Sequence, residues 1–364
     1  MYDFLIVGAG IFGSVCAREL YDRGYKCLVI DKRDHVGGNC YTEEVDGIAI
    51  HKYGGHIFHT DNKRIWDYIN KYSGLNLFLN RVKACYKNKI YSFPINLMTL
   101  YQLWGVTTPE EAREKLEITK CDIQNPNNLE EWILSQVGEQ IYKIFFYGYT
   151  KKQWGREPRD LPIDIIKRVP IRLNFDDTYL RGKFQGIPLG GYTTLFHNLL
   201  WGSDIKLKTS WDEVKDERYL YNNVIFTGPI DEFFNYKFGK LEYRSLSFEE
   251  EKINIKDFQG NAVINYTDEN VSYTRILEHK HFEPIDVDHT IITKEYPQDK
   301  GDPFYPINDK KNNDLYKLYL NYAKRYKNII YFGGRLGSYK YMDMDEAVLG
   351  AINLVKEICM EGTL

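Results

Sequence analysis

A short apolar run, YDFLIV (residues 2–7), passes directly into GAGIFG and then into SVCARELYDRG. The run is β-rich and predicts a strand. Gly8, Gly10 and Gly13 follow in GxGxxG spacing. Gly8 permits a tight turn, Gly10 lets backbone approach a pyrophosphate, and Gly13 lets helix and strand pack closely. Val15, Leu20 and Tyr21 then recur at helical spacing, and Gly24 stops the helix. KCLVID supplies the next strand and ends on Asp31, placed to accept a ribose hydroxyl. Strand, glycine turn, helix and strand make a βαβ unit, whose helix N-terminus turns N–H groups toward a phosphate. The chain is therefore expected to bind a dinucleotide.

At about 150 residues per domain, 364 residues predict two or three domains. A net charge of −3 gives no global attraction to nucleic acid or to an anionic membrane. No apolar run reaches the roughly 18 residues of a transmembrane span, and the N-terminus lacks the basic flank of a signal peptide. The six cysteines (16, 27, 40, 85, 121 and 359) are scattered without a CxxC pair. They read as reduced thiols of a cytoplasmic protein. The 30 tyrosines and 6 tryptophans have two readings, a compositional bias toward Tyr or a cleft lined with stacking and hydroxyl groups, and composition does not choose between them.

After Asn62 the texture changes. NKRIWDYINKYSG predicts a helix, NRVKACYKNKIYSFPIN alternates like a hairpin, and residues 97–150 are mostly helical. Thr108-Pro109-Glu110-Glu111 carries a capping residue, proline at the first helical position and acids in the first turn. Residues 151–170 read as a long connection rich in Pro, Gly and charge, the texture of a lid. Strand-like segments dominate from 171 to 295. DFQGNAVINYTDEN and EEEK read as solvated strand edges and turns. The end returns to α/β texture, with Asp345 expected to cap the last helix.

HKYGGHIFHT (51–60) holds three of the eight histidines. His56 and His59 form HxxH, but tetrahedral zinc needs three or four ligands, and no CxxC or HExxH accompanies them. Gly54-Gly55 also argues against a helix that would aim both rings one way. No metal is expected.

Gly37-Gly38 stands close to the βαβ unit, and GGRLGSYKYMDMDEA resembles the flavin-contacting terminal segment of FAD-binding oxidases and reductases. No second GxGxxG is present, so a single FAD without a nicotinamide domain is expected. The chain resembles the bacterial UDP-galactopyranose mutase family from end to end, in FLIVGAGIFGSVCARE, YGGHIFHT, FFYGYTKKQWG, IKRVPIRLNFDDTYL, FQGIPLGGYT, VIFTGPIDEFF, YTRILEHKHF and GGRLGSYKYMDMDEA.

That resemblance implies an α/β fold in three interleaved parts. These are a Rossmann-like FAD-binding domain (1–78, 190–240 and 315–364), an inserted helical domain (97–170) with a mobile lid near 151–170, and an antiparallel β-sheet domain (79–96, 171–189 and 241–314). It implies interconversion of UDP-galactopyranose and UDP-galactofuranose, for cell-surface polysaccharide, through a reduced-flavin N5–sugar adduct with no net redox. The cofactor would carry the covalent work, while protein groups position the substrate and neutralise charge.

Arg168 and Arg275 match the family's diphosphate arginines, whose planar forks hold two oxygens at once. Tyr179, Tyr305 and Tyr341 match hydroxyls near the same phosphates, and Tyr149 matches the uracil-stacking tyrosine. Phe145, Phe146, Trp154, Asn80, His59 and Asp343 complete the implied substrate set, although the spacing of Phe145 and Phe146 also suits plain helical core. The implied cofactor set is Gly8, Gly10, Phe12, Gly13, Asp31, Gly38, Asn39, Gly55, His56, Thr227, Arg335, Asp343 and Met344. Gly54 and Gly55 would bring backbone carbonyls to the proton on flavin N5, His56 would lie against the isoalloxazine, and His51 would be structural. The family is expected to be homodimeric. The alternatives are an FAD-dependent oxidase or dehydrogenase of the amine-oxidase-like class, which needs neither KQWG, IKRVP nor YTRIL, and a flavin-binding protein without enzymatic activity.

Overall fold

The computed structural model describes residues 1–165, 170–180, 182–217 and 220–361. The chain forms two compact units: Met1–Leu77, Gly182–Tyr243 and Pro303–Leu364 make the first, and Phe78–Arg181 with Arg244–Asp302 the second. Helices and sheet of the middle of the chain thus share one unit rather than separating into two. Residues 182–189 and 303–314, expected with the sheet, belong to the first unit.

The first unit is built on a five-stranded parallel sheet in the order Ile330–Phe332, Tyr221–Phe226, Tyr2–Val7, Cys27–Ile30, Asp204–Lys206. Leu5 pairs with Leu28 on one side and Val224 on the other. A parallel sheet is covered on both faces, which is why its central strands read as unbroken apolar runs. Leu5, Ile30, Val224, Phe226 and Ile330 form one buried cluster with Val214 and Tyr221. The helix Ile11–Tyr21 packs against Tyr192–Leu200 and Met344–Glu361. It is buried from Phe12 through Arg18, and again at Leu20.

Among the described residues, the two longest helices not foreseen are Tyr192–Leu200 and Lys310–Ala323. The first hides behind Gly190 and Gly191, both with left-handed φ, which end the preceding strand-like texture. The cap of the last helix is also corrected. The helix begins at Met344, and the Asp343 carbonyl accepts from Ala347, so Asp343 holds the capping position. Glu346 reaches back to the Asp343 N–H at 3.0 Å. Asp345 lies in the first turn, where its charge suits the helix N-terminus.

In the second unit six strands run Tyr243–Ile253, Thr290–Gln298, Arg275–Glu278, Val263–Tyr266, Lys83–Tyr86, Lys89–Ser92. Every described pairing among them is antiparallel except that of Val263–Tyr266 with Lys83–Tyr86. The last two strands make the expected hairpin. Its Lys87 and Asn88 carry φ of 49° and 62°, the left-handed pair that a two-residue hairpin turn requires.

Thr108 accepts from Glu111 N–H, and Glu111 answers on the Thr108 backbone, a complete capping box for Pro109–Thr119. Thr108→Ala removes one half of it and is expected to cost about 1 kcal/mol, read as a lower urea midpoint with unchanged m value. Leu129–Ile141 is interrupted at Gly138, with φ of 75°. A Cβ there would lie 2.0 Å from the Thr119 carbonyl. A π-helical turn, Tyr142–Tyr147, then leads into the helix Gly148–Trp154.

Candidate active site

The candidate site residues fall into two sets, one in each unit. In the first, the glycine turn is a bare backbone trough. Gly8 has φ of +108°, and a Cβ there would sit 2.0 Å from Thr227 Oγ1. Gly13 touches the Gly8 carbonyl so closely that a Cβ would stand 2.0 Å from it. Gly10 differs, because its Cβ would meet only the Cα of Gly38, at 3.8 Å. Gly10 is therefore not demanded by packing. Its bareness suits a group lying along the trough, between two glycine backbones.

The helix Ile11–Tyr21 starts from Gly10 with no side-chain cap and no acid in its first turn. Its positive end is thus left to an anion such as a pyrophosphate. Asp31 is buried and accepts from Ala9 N–H at 2.8 Å and Arg33 N–H at 2.9 Å. A carboxylate offers about four lone-pair positions, so the group that ties the turn can also accept a ribose hydroxyl. Asn39 accepts from Arg33 at 3.0 Å, and Cys40 Sγ meets Met344 Sδ at 3.6 Å. Phe12 packs beneath Gly333, where a Cβ would fall 2.3 Å from its ring. These residues fit a dinucleotide such as FAD.

The histidine loop is held by its own backbone. Gly54 has φ of 98°. His56 Nδ1 lies 2.7 Å from the Gly54 carbonyl, which can only accept, so this nitrogen carries the proton. The His56 N–H donates to His51 Nδ1 at 3.1 Å, and His51 is buried with its ring edge-on to Tyr192. The structure therefore uses His51 to shape the loop. His59 stands in the strand Phe58–Thr60, opposite Gln185.

Arg335 donates to the carbonyls of Phe304 and Met342 and stands 5.3 Å and 5.1 Å from the Tyr305 and Tyr341 ring centroids. The two rings lie 5.9 Å apart and nearly parallel. Arg335 thus ties the two tyrosine-bearing segments together.

In the second unit the register draws a polar row across the sheet. Asn265 pairs with Arg275, and Arg275 pairs with Glu295. Directly paired residues share a face, so all three side chains line up. Arg275 Nε lies 3.3 Å from Glu295 Oε1, and a terminal nitrogen of its fork donates to the Tyr149 hydroxyl at 2.5 Å. Burial pushes the Glu295 carboxyl up, and the Arg275 guanidinium pulls it back down. Burial likewise pushes the Tyr149 hydroxyl up to about 12, against the same guanidinium.

The side-chain carbonyls of Asn80 and Asn265 are buried without a hydrogen-bond partner among the described residues. Buried polar atoms are rarely left so, which makes both candidates to accept from a ligand. The Asn80 backbone carbonyl also accepts from Tyr179 N–H at 2.7 Å. Phe145 and Phe146 are buried, Phe145 between Tyr91 and Phe93 and Phe146 against Phe93. They are core packing behind Tyr149, as their spacing allowed. Trp154 ends the helix that carries Tyr149. Arg168 lies outside the described residues.

Sequence reasoning missed Asn265 and Glu295. It placed the former in a solvated edge, but Val263–Tyr266 is an interior strand, buried at Val263, Ile264 and Asn265. A polar residue following two β-branched ones was the available signal. EEEK (249–252) is exposed, as expected. Among the described residues, one group brings three potential metal-ligand atoms within 4.8 Å of one another: Asp257, Glu278 and His281. Glu278 there already accepts from Phe258 N–H, Gln259 N–H and the Thr290 hydroxyl. Neither His56 nor His59 belongs to such a group.

The fold and the glycine trough define the class, a dinucleotide-binding α/β protein with the architecture of flavoproteins. Residues 6–72 match an NAD(P)-binding Rossmann-like domain, and residues 144–341, more than half of the chain, match the family described as UDP-galactopyranose mutase. Over 97% of its length the chain is 44% identical to an Escherichia coli protein named dTDP-fucopyranose mutase, covering 97% of that protein. It is 42% identical to a probable UDP-galactopyranose mutase of Klebsiella pneumoniae, covering 98% of this chain and 94% of the relative. A solved structure of reduced UDP-galactopyranose mutase shares the fold, with a TM-score of 0.77 at 15% identity over 99% of this chain and 96% of that one. The chain belongs to the UDP-galactopyranose mutase family, a family of isomerases.

Proposed function

We propose that the protein interconverts UDP-galactopyranose and UDP-galactofuranose on a bound, reduced FAD, with no net redox. The observation that carries this reading is the row Asn265–Arg275–Glu295 with Tyr149 on the arginine fork. It offers a cation for a diphosphate beside the Asn265 side-chain carbonyl, which has no hydrogen-bond partner among the described residues.

When bound, reduced FAD supplies the nucleophile for the anomeric carbon. Arg275 holds the diphosphate before and after it leaves, with Arg168 and Tyr179 as its companions, and the family resemblance assigns phosphate contacts to the Tyr305 and Tyr341 hydroxyls as well. Glu295 holds the guanidinium in place, its oxygen 3.3 Å from Arg275 Nε. Tyr149 and Trp154 stack on the base, Asn80 and Asn265 accept from substrate hydroxyls or N–H groups, and His59 and Asp343 border the sugar. His56, with Nδ1 committed to Gly54, presents Nε2 as its acceptor when neutral. Of the expected lid, residues 151–154 belong to the helix Gly148–Trp154, and the stretch that follows them up to 170 is left to keep water from the reacting centre. The cysteines, scattered without a CxxC pair, support a reducing, cytoplasmic setting, and a homodimer is the expected assembly.

A second reading keeps the reaction and changes the sugar nucleotide. The 44% identity to the dTDP-fucopyranose mutase favours dTDP-fucose as the substrate. One assay addresses both. Dithionite-reduced protein is incubated with UDP-galactofuranose or dTDP-fucofuranose, and the pyranose product is followed by chromatography. Conversion of the galactose nucleotide with reduced but not oxidised flavin supports the proposal, and preference for the fucose nucleotide selects the second reading. Amine-dependent oxygen consumption without either conversion would sink both in favour of an oxidase.

A further inference from the structure

The ammonium of Lys152 is enclosed by four backbone carbonyls, those of Tyr266, Asp268, Val271 and Tyr273, at 2.8, 2.8, 2.8 and 2.9 Å. An ammonium has three donors, so four acceptors at this range act as a cage for a positive charge rather than as separate hydrogen bonds. Burial lowers its ammonium to about 8, while Asp268 raises it, so the charged form prevails at neutral pH. The carbonyls come from the end of the strand Val263–Tyr266 and from the turn that joins it to Arg275–Glu278.

The helix that supplies Lys152 is pressed onto the same turn. A Cβ on Gly148 would lie 2.4 Å from the Thr267 carbonyl and 2.7 Å from the Glu269 nitrogen. Thr267 Oγ1 donates to the Ile144 carbonyl at 2.6 Å, one turn before the helix. Beyond Lys152, Arg244 donates to the carbonyls of Lys152 and Gln153, closing the helix end. The caged carbonyls sit next to the polar row. Tyr266 follows Asn265, and Tyr273 precedes Arg275 by two residues. Tyr149, three residues before Lys152, meets Arg275. Helix, lysine, turn, arginine and tyrosine thus form a closed ring of contacts.

We propose that Lys152 is a positioning residue, a built-in monovalent cation whose four-carbonyl cage sets the spacing of Tyr149, Asn265 and Arg275 for the nucleotide. It touches none of the reacting atoms. Its effect passes through the turn, and the kinetic part of the claim rests on the mutase reading above. Chemistry outside the protein can replace it. Without the side chain, the cage presents four carbonyls at a spacing suited to potassium or methylammonium, and too wide for lithium.

The test uses full-length holoenzyme carrying Lys152→Ala. The expected result is a KM for the sugar nucleotide raised about tenfold or more, with a lowered melting temperature. Millimolar potassium or methylammonium should restore both saturably, lithium should restore neither, and wild type should be indifferent to all three. Unchanged kinetics, or loss that no cation restores, would overturn the proposal. Lys152→Met fills the space without charge and covers the case in which the alanine variant does not fold. It should show the raised KM with no rescue, and wild-type kinetics for it would also overturn the idea. Cation rescue of the melting temperature needs no turnover. A wild type inactive on both nucleotides therefore refutes the mutase reading alone, and absent thermal rescue refutes the cage alone.

Discussion

Replacing Arg275 by alanine is expected to lower kcat/KM for the sugar nucleotide by about 10²–10³-fold while the purified protein stays yellow. The side chain meets Glu295 on one side and the Tyr149 hydroxyl on the other, and in the proposed reaction its guanidinium also holds the diphosphate. Removing it withdraws the charge-assisted contact with the leaving group and leaves a buried carboxylate without its counter-ion. The Glu295 carboxyl then shifts further up, because burial already pushes it up and the guanidinium was the opposing influence. Arg275→Lys keeps the charge but gives up the fork, and should recover only part of the loss. Steady-state kinetics beside the flavin absorbance of the same sample is the measurement. An Arg275→Ala protein that emerges colourless would show that the residue serves the cofactor and not the substrate.

The glycine turn yields the second large effect, as a contrast between neighbours. Gly13→Ala is expected to destabilise by about 3 kcal/mol and to abolish flavin retention, because its Cβ would lie 2.0 Å from the Gly8 carbonyl and 3.2 Å from Ile6 Cγ2. Backbone at the crossing of a strand and a helix has no cheap way to yield. Gly10→Ala should leave the melting temperature of the flavin-free protein within a degree or two, since its Cβ meets only Gly38 Cα at 3.8 Å. It should nevertheless weaken FAD binding at least about tenfold, because the methyl group enters the trough reserved for the pyrophosphate. Melting curves of apo-protein and flavin-to-protein ratios separate the two. Equal flavin binding by Gly10→Ala and wild type would remove the trough from the cofactor site.

Much of the first unit was legible because its signals are local. A strand, a GxGxxG turn, a helix and an acid lie within the first 31 residues, and each needs only its neighbours to be recognised. The hairpin turn at Lys87-Asn88 and the Thr108 capping box are local in the same sense. The helix Tyr192–Leu200 was less legible because the strand and glycines before it dominate the pattern. The cap at Asp343 was misplaced by two residues because DMDE offers two aspartates, two positions apart, and only backbone geometry chooses between them.

By itself, the amino-acid order determined that this chain folds around a dinucleotide, and its motifs pointed to the family. Periodicity and glycine spacing act over a few residues and survive in one dimension. What only the tertiary structure decided is the company each polar group keeps. Tyr149 and Arg275 are 126 positions apart and bonded, and Asn265, Arg275 and Glu295 become one row only through strand register. The same holds for Lys152, one cation among 48 in the sequence, whose four carbonyl partners are backbone atoms that no side-chain pattern encodes. Burial and cross-strand pairing set those charges, and both come into being only when distant segments pack.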